Sequence, residues 1–486
     1  MPSKKQFLMW LFIYGLILCL ELNQILSRTL QIKFGEETTV VQQADILYKF
    51  DNQQHFQPTS KILKEINGDI CNKHGYQQVD IQYCIEILYR QHIDKKLSLL
   101  KQNINNSGSN LNDVIAAIDD LQMIEMQNYH VADYQLSSVL PNQYNSVFLE
   151  TKTAIFHSII LDKQAAIIVN LPHKYQKFKW IDIDNQALRE EVNKFRIGLE
   201  NYGDITYNPQ QAQKVYDLII RPFVNDLESL QIKTLVFIPD GILRSVPMAA
   251  LHDGEKFLIE KYAIATTPSL SLTNLQISSK KMRALVVGLT KNAKVEGCKC
   301  EALSHVAAEI RQVQQQIPDS KQLLDENFTR DRLESELHQS FYPIIHIATH
   351  GEFGQLADDT FLVTGDNQKL TITELTRILR SLNHENKTID LLMLTACESA
   401  IGKDNAVFGF AGVAVQAGVK TAIAPLWLIN DAATVNLVTK FYEAWCHSGV
   451  SKAEALRIAQ RSLIASDGAF SHPAYWAAFI LVGNWF

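Results

Sequence analysis

The chain has 486 residues, of which 47% are hydrophobic and 20% charged, a composition typical of folded and not of disordered proteins. This length exceeds what one compact core can hold, so we expect two or three domains. With 46 basic and 52 acidic residues the net charge is -6, which argues against a nucleic-acid-binding surface. The seven cysteines are scattered and do not form the pattern of a disulfide framework.

The first residues carry the pattern of an export signal. Lys4 and Lys5 precede an apolar run from Phe7 to Leu20. This run is shorter than the roughly 20 residues of a membrane span and matches the apolar part of a secretory signal peptide. Because no clear cleavage site follows, residues 1–27 are predicted to be a signal peptide or an uncleaved membrane anchor. A buried or amphipathic helix is the alternative. We therefore expect an exported or membrane-anchored protein, with a cytoplasmic location as the alternative.

The region 42–137 is polar and helical in pattern. Apolar-periodic stretches occur near 43–66, 78–101 and 111–126, and their starts are about 33–35 residues apart. This spacing is close to the period of a helix-turn-helix repeat, although the repeat consensus is poor. We predict degenerate tetratricopeptide-like repeats that form a short helical arm, and a plain helical bundle is an equal alternative.

After Pro141 short apolar strands alternate with helices. The apolar runs read as strands buried on both faces, so we predict an α/β fold with a mostly parallel sheet flanked by helices. Strands are predicted at 146–149, 154–161, 165–170, 234–239, 284–289, 344–348, 390–394, 421–426 and 477–482, and the main helices at 186–200, 209–228, 302–316, 330–339 and 431–446. Capping boxes at Thr371-x-x-Glu374 and Ser451-x-x-Glu454 predict two further helix starts.

Two chemically reactive residues follow strands of this sheet. The strand at 344–348 leads to His350, and the strand at 390–394 leads to Cys397. Since ligands and chemistry occur beyond the carboxyl ends of parallel strands, the two residues are expected at one edge of the sheet. His346, inside the first strand, is interpreted as a structural core residue.

This pair suits nucleophilic catalysis by a thiol. A thiolate attacks a carbonyl, and a neighbouring His with a helix N-terminus promotes its formation. Cys397 directly precedes a predicted helix that runs to Gly418. The N–H of Gly351, which has no side chain to hinder approach, and the N–H of Cys397 are the candidate oxyanion hole. Glu398 is interpreted as a first-turn acid of that helix.

Five motifs resemble the CHAT domain, a group of caspase-like cysteine peptidases related to separase. They are FIPDGILRSVPMAALHDG (237–254), IIHIATHGEFG (344–354), DLLMLTACESA (390–400), GFAGVAVQAGVKTAIAPLW (409–427) and HPAYWAAFILVGNW (472–485). The resemblance covers about 145–486 and places the family's catalytic pair on His350 and Cys397. It implies a caspase-like sandwich with a pseudo-protease-like half at 145–280 and a catalytic half at 281–486. Tetratricopeptide repeats often precede CHAT domains, which are common in bacteria.

Substrate preference is predicted from the segment after the strand at 421–426. Asp431 follows Leu426-Trp427 on the expected site edge, and a carboxylate there would pair with a basic side chain of the substrate. Separase resembles this stretch and carries acidic residues there, although Leu428 stands in the place of one of them. Alternatively, Asp431 caps the helix that begins there. Asp358-Asp359 could supply a pocket charge instead, and a solvated loop is the simpler interpretation of these two.

The sequence thus predicts a cysteine endopeptidase that cleaves a regulatory protein substrate after a basic residue. A catalytically silent CHAT module that binds or signals is the alternative. No cofactor, metal or nucleic acid is expected. Cys298 and Cys300 form a weak metal-binding signal and are read as free thiols in a loop. A regulatory protein partner is expected at the helical arm.

Overall fold

The structure is a computed structural model, and it divides the chain into two compact units, Met1–Asn128 and Tyr129–Phe486. The predicted signal or anchor at 1–27 and the predicted helix at 43–66 lie outside the described residues. Within the described parts, no helix is both long enough and apolar enough to cross a membrane. The structure describes residues 78–102, 111–129, 151–200, 207–276, 282–296, 298–352, 359–384, 387–395 and 409–486.

The first unit contains helices α1 (Gln78–Gln102) and α2 (Leu111–Tyr129). They coincide with the second and third apolar-periodic stretches of the sequence, and apolar side chains of both helices are buried. Arg90 Nη2 donates to Glu125 Oε1 at 2.6 Å and so joins the two helices. Their assignment to degenerate repeats stays a prediction.

The second unit is built on one large mixed sheet. Its strands and those of two small sheets are β1 (Thr153–Ile160), β2 (Ala165–Leu171), β3 (Tyr175–Ile181), β4 (Thr234–Ile238), β5 (Ala263–Thr266), β6 (Ala284–Gly288), β7 (Ala293–Val295), β8 (Cys298–Cys300), β9 (Ser320–Leu324), β10 (Ile344–Ala348), β11 (Gly351–Glu352), β12 (Phe361–Val363), β13 (Lys369–Thr371), β14 (Leu391–Leu394), β15 (Thr421–Pro425) and β16 (Phe479–Gly483). In the described residues the large sheet has 11 strands in the order β3-β2-β1-β4-β5-β16-β15-β14-β10-β6-β9. Its strands pair in parallel except at β3–β2, β2–β1 and β16–β15. The predicted α/β class and mostly parallel sheet are confirmed.

The two halves of this sheet run in opposite directions. β15 and β16 pair antiparallel, whereas β5 continues parallel to β16. The carboxyl ends of β10, β14 and β15 therefore share one edge, and those of β1, β4 and β5 lie at the opposite edge. Asp240, which follows β4 at that opposite edge, is fully buried and accepts the N–H of Ile160 at 2.7 Å. This acidic residue of the CHAT-like motifs therefore stabilises a turn at the edge of the sheet opposite to the one that carries His350.

Helices cover both faces of the sheet. In the second unit they are α3 (Asn185–Glu200), α4 (Gln210–Ile219), α5 (Val224–Ser229), α6 (Leu258–Lys261), α7 (Val306–Gln316), α8 (Arg330–Gln339), α9 (Ile372–His384), α10 (Gly409–Gln416), α11 (Asp431–His447), α12 (Lys452–Ile464) and α13 (Pro473–Trp476). Along β10, Ile344 and Ala348 pack in the layer of α7, α11 and α12, whereas Ile345 and Ile347 pack in the layer of α8 and α9. Burial on both faces explains why β10 reads as a continuous apolar run.

Both predicted capping residues are found at helix starts. Thr371 Oγ1 accepts the N–H of Glu374 at 3.2 Å, and Glu374 Oε2 accepts the N–H of Thr371 at 3.0 Å. Ser451 Oγ accepts the N–H of Glu454 at 3.2 Å. The Glu454 carboxylate turns instead to Arg457 at 2.8 Å, so the second start has a cap and a local ion pair in place of a full box.

The segment at 298–300 differs from its prediction. It is strand β8, antiparallel to β7, and not a loop. Cys300 is disulfide-bonded, and it is buried against Phe361 and Val363. The prediction of a loop was wrong because three-residue strands are too short to show an alternating pattern, and Cys300 is not the free thiol that was predicted. Among the described residues, no group of three or more His, Cys, Asp or Glu side chains could hold a metal ion.

Candidate active site

Adjacent strands carry the chain to the two predicted catalytic residues. β10 and β14 pair in parallel, with Ile347 opposite Leu394. His350 comes three residues after Ile347, and Cys397 comes three residues after Leu394. Thr395 donates its N–H to the carbonyl of Ile347 at 2.9 Å and is the last described residue before Cys397. Cys397 itself lies outside the described residues, as do Glu398 and Asp358.

The backbone and the ring of His350 are both held by hydrogen bonds. Its carbonyl accepts the N–H of Val363 in β12 at 2.9 Å. Thr349, next to it, donates its hydroxyl to the carbonyl of Val363 at 2.6 Å. The ring Nε2 lies 2.7 Å from the carbonyl oxygen of Glu301, which can only accept, so Nε2 carries a proton. In a neutral imidazole Nδ1 is then the acceptor, and this is the form in which His acts as a base.

Gly351 follows His350 and begins β11. Gly351 lies opposite Leu362, and His350 lies opposite Val363. Because the His350–Val363 pair is hydrogen-bonded, antiparallel geometry makes Gly351–Leu362 a pair without ladder bonds. The N–H of Gly351 therefore points away from β12. This orientation is compatible with the predicted oxyanion role, which stays a prediction.

Asp431 is the first residue of α11, and it does not cap the helix. The cap is Asn430, whose side-chain oxygen accepts the N–H of Ala433 at 3.1 Å. The alternative in which Asp431 acts as the cap was therefore wrong. Burial raises the pKa of the Asp431 carboxyl above its usual value; His305 and His350 act in the opposite direction, and Glu309 adds to the increase. The Asp431 carboxylate thus lies within the electrostatic reach of His350.

A buried polar network extends from β10 into α7 and α11. His346 is fully buried, and its Nε2 lies 3.0 Å from Glu309 Oε1. Its Nδ1 lies 3.3 Å from the hydroxyl of Tyr442, which is also buried. These contacts place His346 in the core, as its position within the strand predicted.

The segment between β15 and α11 is anchored at both ends. The N–H of Leu426 donates to the carbonyl of Ala478 at 2.9 Å, and the indole N–H of Trp427 donates to the carbonyl of Ala474 at 3.0 Å. Asn430 fixes the other end as the helix cap. Between these anchors Leu428 is 54% exposed. Asp359 is also exposed, in keeping with a solvated side chain.

Three residues of this region were missed in the sequence: Glu301, His305 and Glu309. Glu301 acts through its backbone carbonyl, which any residue possesses, so its residue type gives no signal in the sequence. His305 begins α7 as its N-cap residue. Glu309 offers a signal, because this acid stands on the apolar face of a helix next to the buried Ile310.

Residues 209–484 match the CHAT domain family. The fold is a caspase-like α/β sheet flanked by helices, with His350 at one edge. Since the match covers more than half of the sequence, the chain belongs to the CHAT domain family.

Individual proteins show more distant similarity. Mouse tetratricopeptide repeat protein 28 is 23% identical over 326 residues, which make up 56% of this chain and 13% of that protein. Separase in the Saccharomyces cerevisiae separase–securin complex has a TM-score of 0.51 at 10% identity, over 92% of this chain and 40% of that chain. The Arg-specific cysteine proteinase gingipain R aligns with a TM-score of 0.37 at 11% identity, over 62% of this chain and 74% of its own. The likeness to separase shows the fold, and the chain spans less than half of either the mouse protein or the separase chain.

Proposed function

We propose that this protein is a cysteine endopeptidase with His350 as base and Cys397 as nucleophile. The observation that carries the proposal is the bond from His350 Nε2 to the Glu301 carbonyl at 2.7 Å. A third group that orients the base, leaving its other nitrogen as an acceptor, is the arrangement that activates a nucleophile. Membership of the CHAT family and the pairing of β10 with β14, which leads to Cys397, support the proposal.

The chemistry follows from these roles. His350 Nδ1 takes the thiol proton of Cys397, and the thiolate attacks the carbonyl carbon of the peptide bond. The N–H groups of Gly351 and Cys397 stabilise the resulting oxyanion. When the C–N bond breaks, His350 returns its proton to the leaving amine. Water then hydrolyses the thioester with His350 as base, which releases the carboxylic acid and restores the thiol.

The preferred residue before the cut is basic in this proposal, and Asp431 selects it. The carboxylate of Asp431 makes no hydrogen bond to any described residue, since Asn430 supplies the cap. It lies within the electrostatic reach of His350. A guanidinium or ammonium group of the substrate would pair with this carboxylate in a charge-assisted hydrogen bond.

The substrate is a protein or peptide, and the helical arm at 42–137 is proposed to bind a regulatory partner. A tetratricopeptide repeat protein among the relatives and a separase bound to securin support a protein partner. The helices α1 and α2 belong to a unit separate from the one that contains His350, which suits a regulatory surface.

The catalytic pair is tested with Cys397→Ala and His350→Ala. Each change should abolish peptide cleavage, because the nucleophile or its base is lost, while the melting temperature stays near that of the wild type. Cleavage of a peptide library and labelling by a thiol-directed activity probe are the measurements. His447→Ala, which changes an exposed His of α11, is the matched control and should keep full activity. Substantial cleavage by Cys397→Ala would refute the assignment, and a wild type without turnover would favour a silent module.

A further inference from the structure

The buried network around His346 joins three polar side chains, those of His346, Tyr442 and Glu309. Burial raises the pKa of Tyr442 well above its ordinary value, so its hydroxyl stays protonated. Among the described residues this hydroxyl has only His346 Nδ1 as partner, and it therefore donates to that nitrogen. The ring proton of a neutral His346 is then on Nε2 and points to Glu309 Oε1. Glu309 lies in the first turn of α7.

One oxygen of Glu309 has no partner among the residues that the structure describes. Oε1 accepts from His346, whereas Oε2 accepts no hydrogen bond from any described residue. The Glu309 side chain is only 4% exposed. A nearly buried carboxylate oxygen without a donor is costly unless a cation or donor is supplied.

Glu309 and Asp431 lie near the N-termini of two helices that pack against each other. α7 and α11 pack against each other, and each carries its acid in the first turn. α11 follows β15, so its N-terminus lies at the edge that carries His350. Four residues before Glu309, on the same face of α7, is His305. The fields of both Glu309 and His305 reach Asp431, which places this end of α7 at the same edge.

We propose that Glu309 is the second carboxylate that recognises the basic residue of the substrate, together with Asp431. The deeper Glu309 Oε2 and the half-buried Asp431 would each accept a hydrogen bond from one guanidinium or amidinium group. Asp431 and Glu309 are called the acidic pair below. The inference rests on the proposed basic specificity, but it makes a prediction about binding that requires no turnover.

The experiment measures binding of benzamidine and of neutral benzamide to the full-length protein by titration calorimetry. The two ligands have nearly the same shape, so their difference reports charge recognition. Glu309→Gln keeps a hydrogen-bonding partner for His346 and removes the charge. It should weaken benzamidine binding about tenfold, the effect of losing one charge-assisted hydrogen bond, and leave benzamide unchanged. Glu336→Gln is the matched control, because Glu336 is a buried glutamate on α8 that is bonded to Tyr342.

The outcomes separate the two proposals. Unchanged benzamidine binding by a folded Glu309→Gln protein overturns the role of Glu309, and so does an equal loss for both ligands. If melting shows that this variant does not fold, Glu309→Asp keeps the charge and withdraws the oxygens by one methylene; a loss confined to benzamidine supports the role, and no loss overturns it. If the wild type binds benzamidine more tightly than benzamide but cleaves no peptide, the proposed peptidase function is refuted, whereas the role of the acidic pair in recognising a cation is supported.

Discussion

Asn430 and Asp431 divide two tasks between neighbouring residues. Asn430 accepts the N–H of Ala433 at 3.1 Å and also accepts the Thr434 hydroxyl through its carbonyl at 2.9 Å, so it begins the helix by itself. Asn and Asp are nearly equal as caps, and the sequence therefore allowed either residue to take this place. Because Asn430 does so, the carboxylate of Asp431 is left at the edge that carries His350.

Replacing Asp431 by Asn should therefore change specificity and leave stability intact. The change removes a half-buried charge, whose pKa is raised by burial, and it spares the cap. We expect the melting temperature at pH 7 to stay the same or rise. The ratio of kcat/KM for arginine and citrulline peptides should fall at least tenfold. Asn430→Ala is the contrasting variant, since it should cost about 1 kcal/mol of stability and keep the arginine preference.

The pH dependence of this ratio provides a second check on Asp431. A carboxylate binds a cation only when ionised, and burial raises the pKa of this one. On acidification the arginine preference should thus fade at a higher pH than an ordinary Asp would give. Taking the ratio to citrulline cancels any pH dependence that the two substrates share. A preference that stays constant as the pH falls to about 4, the ordinary Asp value, would argue against Asp431 as the selecting acid.

Strand β1, in the other half of the sheet, buries the titratable side chain of His157. His157 is almost fully buried in this strand, and its Nε2 lies 3.4 Å from the amide nitrogen of Asn170 in β2. Burial lowers the pKa of His157 to about 3. The group stays neutral in the folded protein at pH values where an unfolded chain would already protonate it.

This burial predicts a loss of stability in acid. The pKa of His157 is about 6.5 in the unfolded chain and about 3 in the folded protein, so at pH values between these two the unfolded chain binds more protons. The free energy of unfolding therefore falls as the pH decreases through that window. Each unit of difference corresponds to about 1.4 kcal/mol. His157→Gln, a neutral side chain that keeps an acceptor for Asn170, should show a flatter dependence of denaturant midpoint on pH. His447→Gln, at an exposed position, should follow the wild type, and an unaltered slope in His157→Gln would contradict the account.

At the scale of the whole molecule, the sheet joins two halves of opposite direction into one unit. β5 pairs with β16, the last strand of the chain, so that 153–266 and 284–483 share one sheet. The predicted boundary near 280 therefore separates two halves of a continuous sheet. The helices α1 and α2 belong to the other compact unit.

A chain that starts near residue 141 should fold and keep peptide cleavage. The reason is that the sheet and its core layers belong to the second unit, whereas α1 and α2 belong to the first. Circular dichroism and kcat/KM on a peptide substrate are the measurements, with full-length protein as the reference. A shortened chain that stays unfolded would show that the helical arm stabilises the sheet domain, and a higher activity would show that the arm restrains it.

Residues 1–27 should direct the chain into or across a membrane. The basis is Lys4 and Lys5 before the apolar run of 7–20. Fractionation of cells that express the full chain should place it in the membrane or outside the cytosol, and a chain lacking 1–27 should remain cytosolic. Intact full-length protein found wholly in the soluble cytosolic fraction would contradict this expectation.

The sequence by itself determined the α/β class, the positions of the strands that lead to His350 and Cys397, and the helix starts at Thr371 and Ser451. These features depend on local patterns, namely continuous apolar runs and capping chemistry, which a short segment contains in full. Short strands such as β8 escaped the prediction, because three residues do not establish a period.

Only the tertiary structure decided which groups surround the candidate site. The Glu301 carbonyl contacts His350 from a segment 49 residues away, and the Glu309 carboxylate contacts the core residue His346 from a segment 37 residues away. A backbone carbonyl has no side-chain signature, and the apolar face of α7 does not reveal which strand that face packs against. The choice of Asn430 over Asp431 as cap likewise depended on the backbone geometry at the start of α11, which two nearly equivalent side chains leave undetermined.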